Sequence, residues 1–137
     1  MADTIRKVEY YKITVPDRAG EGAKVLGPLW EAGVNLLAFT GFPEGKRAQL
    51  DFIPENSKAF EQVAKNAKVK IGKKKTCFLI QGENRSGAIA NIESKLGQSK
   101  INSIALTGVS AGEGRYGAIL WVKPRDTNKA AKILGAT

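Results

Sequence analysis

Shifting the chain against itself by 67 residues superposes Ile13 on Ile80, Arg18 on Arg85, Gly20 on Gly87, Ala23 on Ala90 and Leu29 on Leu96. The same shift superposes Asn35 on Asn102, Ala38 on Ala105, Thr40 on Thr107 and Gly41 on Gly108. A chain with one such internal period is expected to fold as two similar units that share contacts, because each half alone has a marginal core. The matching polar and glycine positions fall in two clusters. One is a turn that follows a strand and the other is the start of a later strand, places where packing alone does not dictate residue type. A pair of related sites is the first functional expectation.

Composition narrows the chemistry. Of the 137 residues 42% are hydrophobic and no low-complexity tract interrupts them, which indicates a folded protein. No apolar run approaches the roughly 20 residues that span a bilayer, and the stretch from Met1 to Lys12 lacks the apolar core of a signal peptide. A cytoplasmic protein without membrane contact is expected. With one cysteine, Cys77, and no histidine, the sequence excludes an intrachain disulfide, a cysteine zinc cluster and histidine acid–base catalysis. The formal charge of +9 suits an anionic partner, yet Lys65, Lys68, Lys70, Lys73, Lys74 and Lys75 form the one dense cluster and no aromatic residue interleaves it. That run reads as a solvated connector first and an anion-binding patch second.

The first repeat reads strand, helix, strand, strand, helix, strand. Tyr11, Ile13 and Val15 alternate with polar neighbours, the period of a strand with one buried face. Pro16 to Gly20 form a turn into a helix with Ala23, Leu26, Leu29 and Trp30 as its apolar stripe, ending at Gly33 and bent at Gly27–Pro28. Strands follow at Val34–Phe39 and Ala48–Ile53, then a helix capped by Asn56 or Ser57 that buries Phe60, Val63 and Ala64, and a last strand at Val69–Ile71. The second repeat has the same order: Phe78 and Ile80 in its first strand, a turn at Asn84–Gly87, Ile89, Ile92 and Leu96 on its helix, then Ile101–Leu106 and Ala118–Val122. A helix from Asp126 or Thr127 carries Ala130, Ile133 and Leu134, and no fourth strand follows it. The open edge of this repeat needs a partner, for which Thr4–Val8 or a neighbouring chain are the candidates. Boundaries of 1–72 and 73–137 follow for the two units.

The strand faces carry a further expectation. With helices on one side only, the other side is polar unless something covers it. Lys12, Thr14, Gln49 and Asp51 satisfy this in the first repeat, whereas Cys77, Leu79, Ile119 and Trp121 in the second call for a covering sheet or subunit.

Each βαββαβ half resembles an ACT domain, the small regulatory module that binds amino acids in many metabolic enzymes and regulators. The resemblance rests on Lys12-Ile13-Thr14-Val15-Pro16-Asp17-Arg18-Ala19-Gly20 and Glu31-Ala32-Gly33-Val34-Asn35-Leu36. It recurs in Phe78-Leu79-Ile80-Gln81-Gly82-Glu83-Asn84-Arg85-Ser86-Gly87 and Lys100-Ile101-Asn102-Ser103. It implies an α+β chain of two tandem ferredoxin-like, ACT-like repeats, the second lacking its own last strand. It also implies a non-catalytic regulator without a cofactor that takes an amino-acid effector at interfaces between repeats and works as a homodimer through sheet or strand pairing, with a protein partner as a further expectation. By the same resemblance Asp17, Arg18, Ala19, Gly20 and Asn35 border one site, and Asn84, Arg85, Ser86, Gly87 and Asn102 the other. The residues themselves suit a zwitterion: a glycine opening a helix leaves backbone N–H groups for a carboxylate, and an asparagine amide both donates and accepts. Each also has a plainer reading, as turn former, helix cap or solvated charge. The sites differ, since Asp17 becomes neutral Asn84 and Ala19 becomes Ser86.

An RNA-binding module shares the βαββαβ order, and Arg115-Tyr116-Gly117-Ala118-Ile119-Leu120-Trp121-Val122 is similar to its aromatic third strand. Ile119 stands where a stacking aromatic belongs, so this is the weaker reading. Ile80-Gln81-Gly82 with Arg85 resembles acylphosphatases faintly, but their arginine spacing and partner asparagine motif are missing, and no nucleophile–base pair or phosphate loop appears.

Overall fold

The computed structural model describes residues 3–137. The regular elements are β1 (Thr4–Pro16), α1 (Glu21–Glu31), β2 (Leu36–Glu44), β3 (Arg47–Pro54), α2 (Ser57–Asn66), β4 (Lys75–Glu83), α3 (Ala88–Gln98), β5 (Ser103–Gly112), β6 (Arg115–Val122) and α4 (Thr127–Leu134), with a single 3₁₀ turn at Pro124–Asp126 before α4. The fold is α+β, made of two ferredoxin-like repeats, neither of which has a regular last strand of its own. No helix of the described residues is long and apolar enough to cross a membrane.

Contacts divide the chain into two compact units. One comprises Glu9–Lys75 and the other residues 3–8 with Thr76–Thr137.

In the first, β3 lies between β2 and the later part of β1, antiparallel to both, with Lys12 opposite Asp51 and Thr14 opposite Gln49. Tyr11, Ile13 and Val15 alternate inward as their spacing predicts and meet Leu29 of α1 and Phe60 of α2 over Leu50 and Phe52. Tyr11 stacks on Phe60 with ring centroids 4.8 Å apart, and its hydroxyl donates to Glu61 Oε2. Burial, with smaller contributions from the Glu61 bond and charge, pushes that hydroxyl up to about 12. Asn56 caps α2, its side chain accepting from Ala59 N–H at 3.0 Å.

Two expectations fail here. Trp30 does not join the apolar stripe of α1 but is 84% exposed, and Ala23 is exposed as well. Val25, Leu26 and Leu29 fill the buried face, and one residue past Leu29 is a rotation of about 100° around the helix, which carries Trp30 off it. The strand at Val69–Ile71 does not form either. Lys68 takes a left-handed conformation, φ 57°, and the Val69 N–H closes the end of α2 on the Ala64 carbonyl. Val69 and Ile71 still pack against the core, and the Gly72 N–H reaches the Lys12 carbonyl at 2.8 Å.

In the second unit β6 lies between β4 and β5, antiparallel to both, and β4 has the first part of β1 on its other side. Thr4–Val8 therefore stands where the missing last strand belongs, the first of the two candidates. Thr137 then pairs with it, its N–H to the Ile5 carbonyl at 3.1 Å and its carbonyl from the Lys7 N–H at 3.0 Å. Ile5 enters the helix-side core with Phe78, Ile80, Ile92, Leu96, Leu120 and Leu134. On the opposite face Cys77, Leu79, Ile119 and Trp121 are all buried within the chain, so no partner subunit is needed to cover them.

Candidate functional site

Gly20 and Gly87 occupy the N-cap positions of α1 and α3 in the same left-handed conformation, φ 87° and 84°. An L-residue resists that conformation, which explains the glycine in both copies. Neither helix has a side-chain cap, so Asp17 and Asn84 do not serve as one. Glu21 N–H donates to the Arg18 carbonyl and Lys24 N–H to the Gly20 carbonyl, and in the second copy Ala88 pairs with Arg85 and Asn91 with Gly87. Between these pairs the N–H groups of Gly22 and Ala23, and of Ile89 and Ala90, find no partner among the described residues. Two unpaired donors at a helix start attract anions through both hydrogen bonding and the helix dipole.

At the start of α3 lies a cavity of about 370 Å³, lined by Asn84, Arg85, the helix start from Gly87 to Ala90, Gly108–Ser110 of β5 and Tyr116 of β6. The register Ser110 opposite Tyr116 and Tyr116 opposite Gly82 brings these strands to the turn. Asn84 Nδ2 lies 3.4 Å from Ser110 Oγ, and Asn84 N–H is held by the Gly114 carbonyl at 2.8 Å. Gly108 keeps the wall thin, because a Cβ there would lie 3.1 Å from Ile89 Cδ1. Ser86 is exposed in the turn and does not line the cavity.

Arg85 is engaged. Its Nη1 and Nη2 reach Asp3 Oδ1 and Oδ2 at 3.1 and 3.4 Å, and Nη1 also donates to the Glu83 carbonyl at 2.8 Å. Burial would raise the Asp3 carboxyl, but the bond and charge of Arg85, with help from Tyr116 and Lys95, hold it below its ordinary value. The buried Tyr116 hydroxyl lies close enough to feel both groups without a well-formed hydrogen bond to either, and burial raises it. Asp3, Gly82 and Tyr116 are not singled out by the repeat, whose copy of Gly82 is Val15 and whose copy of Asp3 is Lys70.

The first copy is built differently. Asp17, Arg18, Ala19 and Gly20 are exposed, and Arg18 pairs with Glu21 at 3.3 Å, as does Lys24 at 3.1 Å. Those cations hold the Glu21 carboxyl below its ordinary value, Lys24 most, so a carboxylate already stands at the start of α1 where the second copy has Ala88.

Asn35 and Asn102 are exposed at the entry ends of β2 and β5. The Asn35 amide lies 3.5 Å from Glu55 Oε2. Ser103 pairs with Val122, but the turn at Asn84 adjoins Ser110 at the other end of β5. At about 3.4 Å per residue, Asn102 is some 20 Å or more from the cavity in its own unit. The same holds for Asn35, since Leu36 pairs with Pro54 while Pro16, before the first turn, pairs with Arg47. Neither asparagine meets its own turn.

No family model matches the chain, and no curated protein does. Among solved structures, a protein from Bacteroides thetaiotaomicron is similar at a TM-score of 0.83 and 14% identity, over 96% of this chain and 88% of that one. The ligand-free regulatory subunit of aspartate kinase from Thermus thermophilus is similar at 0.66 and 15% identity, over 98% and 95%. A structure of aspartokinase alpha and beta subunits is similar at 0.63 and 14% identity, over 98% and 95%. The likeness is one of fold.

Proposed function

We propose that this chain is a regulatory protein without catalysis of its own that binds an amino acid or similar small carboxylate in the cavity at the start of α3. The observation that carries the reading is the pair of unpartnered N–H groups on Ile89 and Ala90, two residues that line a cavity together with Asn84 and Ser110. Donors fixed in the backbone suit a carboxylate, and the neighbouring amide and hydroxyl oxygens suit an ammonium. The fold likeness to a regulatory subunit of aspartate kinase supports the same class. The turn of the first repeat, Asp17–Gly20, is the weaker of the two sites because Glu21 opposes an anion there.

Asn35 and Asn102 fit ligand contact only across to a second copy, since each stands far from its own turn. The uncharged edge strand β5, with Ile104 and Val109 exposed, is the edge we assign to that copy. Ligand would then act through different affinities for assembly states or for the conformation a protein partner recognises, in the cytoplasm. The RNA reading loses its platform, because Tyr116 and Trp121 of β6 are buried.

Thermal-shift measurement with each amino acid tests the proposal. A ligand at a hundred times its Kd adds about 2.7 kcal/mol of stability. At least one amino acid should raise the melting temperature of the wild type and not of Gly108→Val, whose side chain crowds Ile89 and so disturbs the start of α3 at the cavity wall. No shift with any of them, or an equal shift in the variant, rejects the assignment.

A further inference from the structure

Asp3 reaches Arg85 across 82 residues of sequence and puts both carboxylate oxygens against both terminal nitrogens of the guanidinium. Its side chain is only 8% exposed. The space it fills exists because residue 82 has no side chain: a Cβ at Gly82 would collide with Asp3 Oδ1 and crowd Tyr116 Cε1 at 3.1 Å. Guanidinium, aromatic hydroxyl and a side-chain-free strand position are thus arranged around one carboxylate, at the wall of a cavity large enough for a small metabolite.

We propose that Arg85, Tyr116 and the space at Gly82 form a carboxylate cradle that Asp3 fills in cis, and that a free carboxylate entering the cavity competes with Asp3 for Arg85. The inference rests on the reading of this cavity as the ligand site. A tethered competitor acts at a high effective concentration, of the order of millimolar or more. A bare carboxylate therefore displaces it poorly, and a ligand that also engages the Ile89 and Ala90 N–H groups displaces it well. Asp3 in this way sets both the threshold and the selectivity of the site. Asp3 directly precedes Thr4–Val8, the segment of β1 in the place of the missing strand, so its displacement acts next to the β4 edge.

Acetate is the probe, because it offers the carboxylate and nothing else. Full-length wild type and Asp3→Ala are titrated with sodium acetate against sodium chloride at equal ionic strength, following the Arg85 Nε–H resonance by NMR. The Asp3→Ala protein is expected to respond at about tenfold lower acetate than the wild type, a difference of about 1.4 kcal/mol, and acetamide to leave it unmoved. Adding Gly82→Ala to Asp3→Ala, which puts a methyl in the space that receives the carboxylate, should abolish that response. Equal acetate dependence in wild type and Asp3→Ala, or no response of Arg85 in that variant, overturns the proposal. A response to acetate alongside no thermal shift with any amino acid would keep the cradle and reject the amino-acid reading.

Discussion

Gly33 and Lys100, 67 residues apart in the two repeats, hold the same left-handed backbone conformation, φ 73° and 61°. Both close a helix in the same way. Val34 N–H reaches the Leu29 carbonyl and Ile101 N–H the Leu96 carbonyl, each at 2.9 Å, while Gly33 and Lys100 donate to Trp30 and Gly97. This is the six-to-one and five-to-two bond pattern that ends many helices, and glycine is the residue it favours.

At this helix end the second repeat therefore carries strain that the first does not. Lys100→Gly is expected to stabilise the protein by about 1 kcal/mol, and Gly33→Ala to destabilise it by about 1–2 kcal/mol. Urea unfolding of the two variants checks this, with unchanged m-values showing that stability has changed and the surface exposed on unfolding has not.

The two tryptophans give opposite readings of their surroundings. Trp30 is 84% exposed and Trp121 is 8% exposed. Iodide should quench the Trp30 emission and leave that of Trp121, so Trp30→Phe is expected to remove nearly all the accessible fluorescence. Strong quenching of the remaining emission would mean that the apolar face of β4 and β6 is open to water.

Asp51 is a buried charged residue, with Gln49 Nε2 at 3.0 and 3.3 Å from its two oxygens. Burial raises its carboxyl above the ordinary value, against the Gln49 bond and the nearby Lys12 and Lys75 charges. The folded state thus keeps a proton that the unfolded state has lost, so this group's contribution to stability falls as pH rises from the unfolded to the folded pKa and stays low above it. Asp51→Asn should be more stable than the wild type at neutral pH, with the gain vanishing as pH drops below the unfolded carboxylate range. Melting curves of both proteins between pH 3 and 7 measure it.

The sequence period made the element order and the inward faces of the strands readable, because Tyr11, Ile13 and Val15, and likewise Phe78 and Ile80, alternate with the strand. The apolar outer face at Cys77, Leu79, Ile119 and Trp121 was readable as covered. Trp30 was not, since hydrophobicity alone does not say on which side of a helix stripe its margin falls. Val69–Ile71 read as a strand because its apolar residues alternate, but the left-handed turn at Lys68 uses a residue type that gives no such warning. In the candidate site Gly20 and Gly87 were legible through their pairing. Asp3 was not, because a contact 82 residues away leaves no local pattern. The distance of Asn35 and Asn102 from their turns was equally hidden, since order along the chain does not reveal which end of a strand meets which turn.

The central claim, a carboxylate-binding cavity at the start of α3, is tested most directly by backbone amide NMR during titration with the amino acid that gives the largest thermal shift. The amides of Ile89 and Ala90 should move most, with those of Asn84 and Gly108–Ser110 following at the same half-saturation. Perturbation confined to other segments, such as the lysine run from Lys65 to Lys75, or no perturbation at saturating ligand, would contradict it.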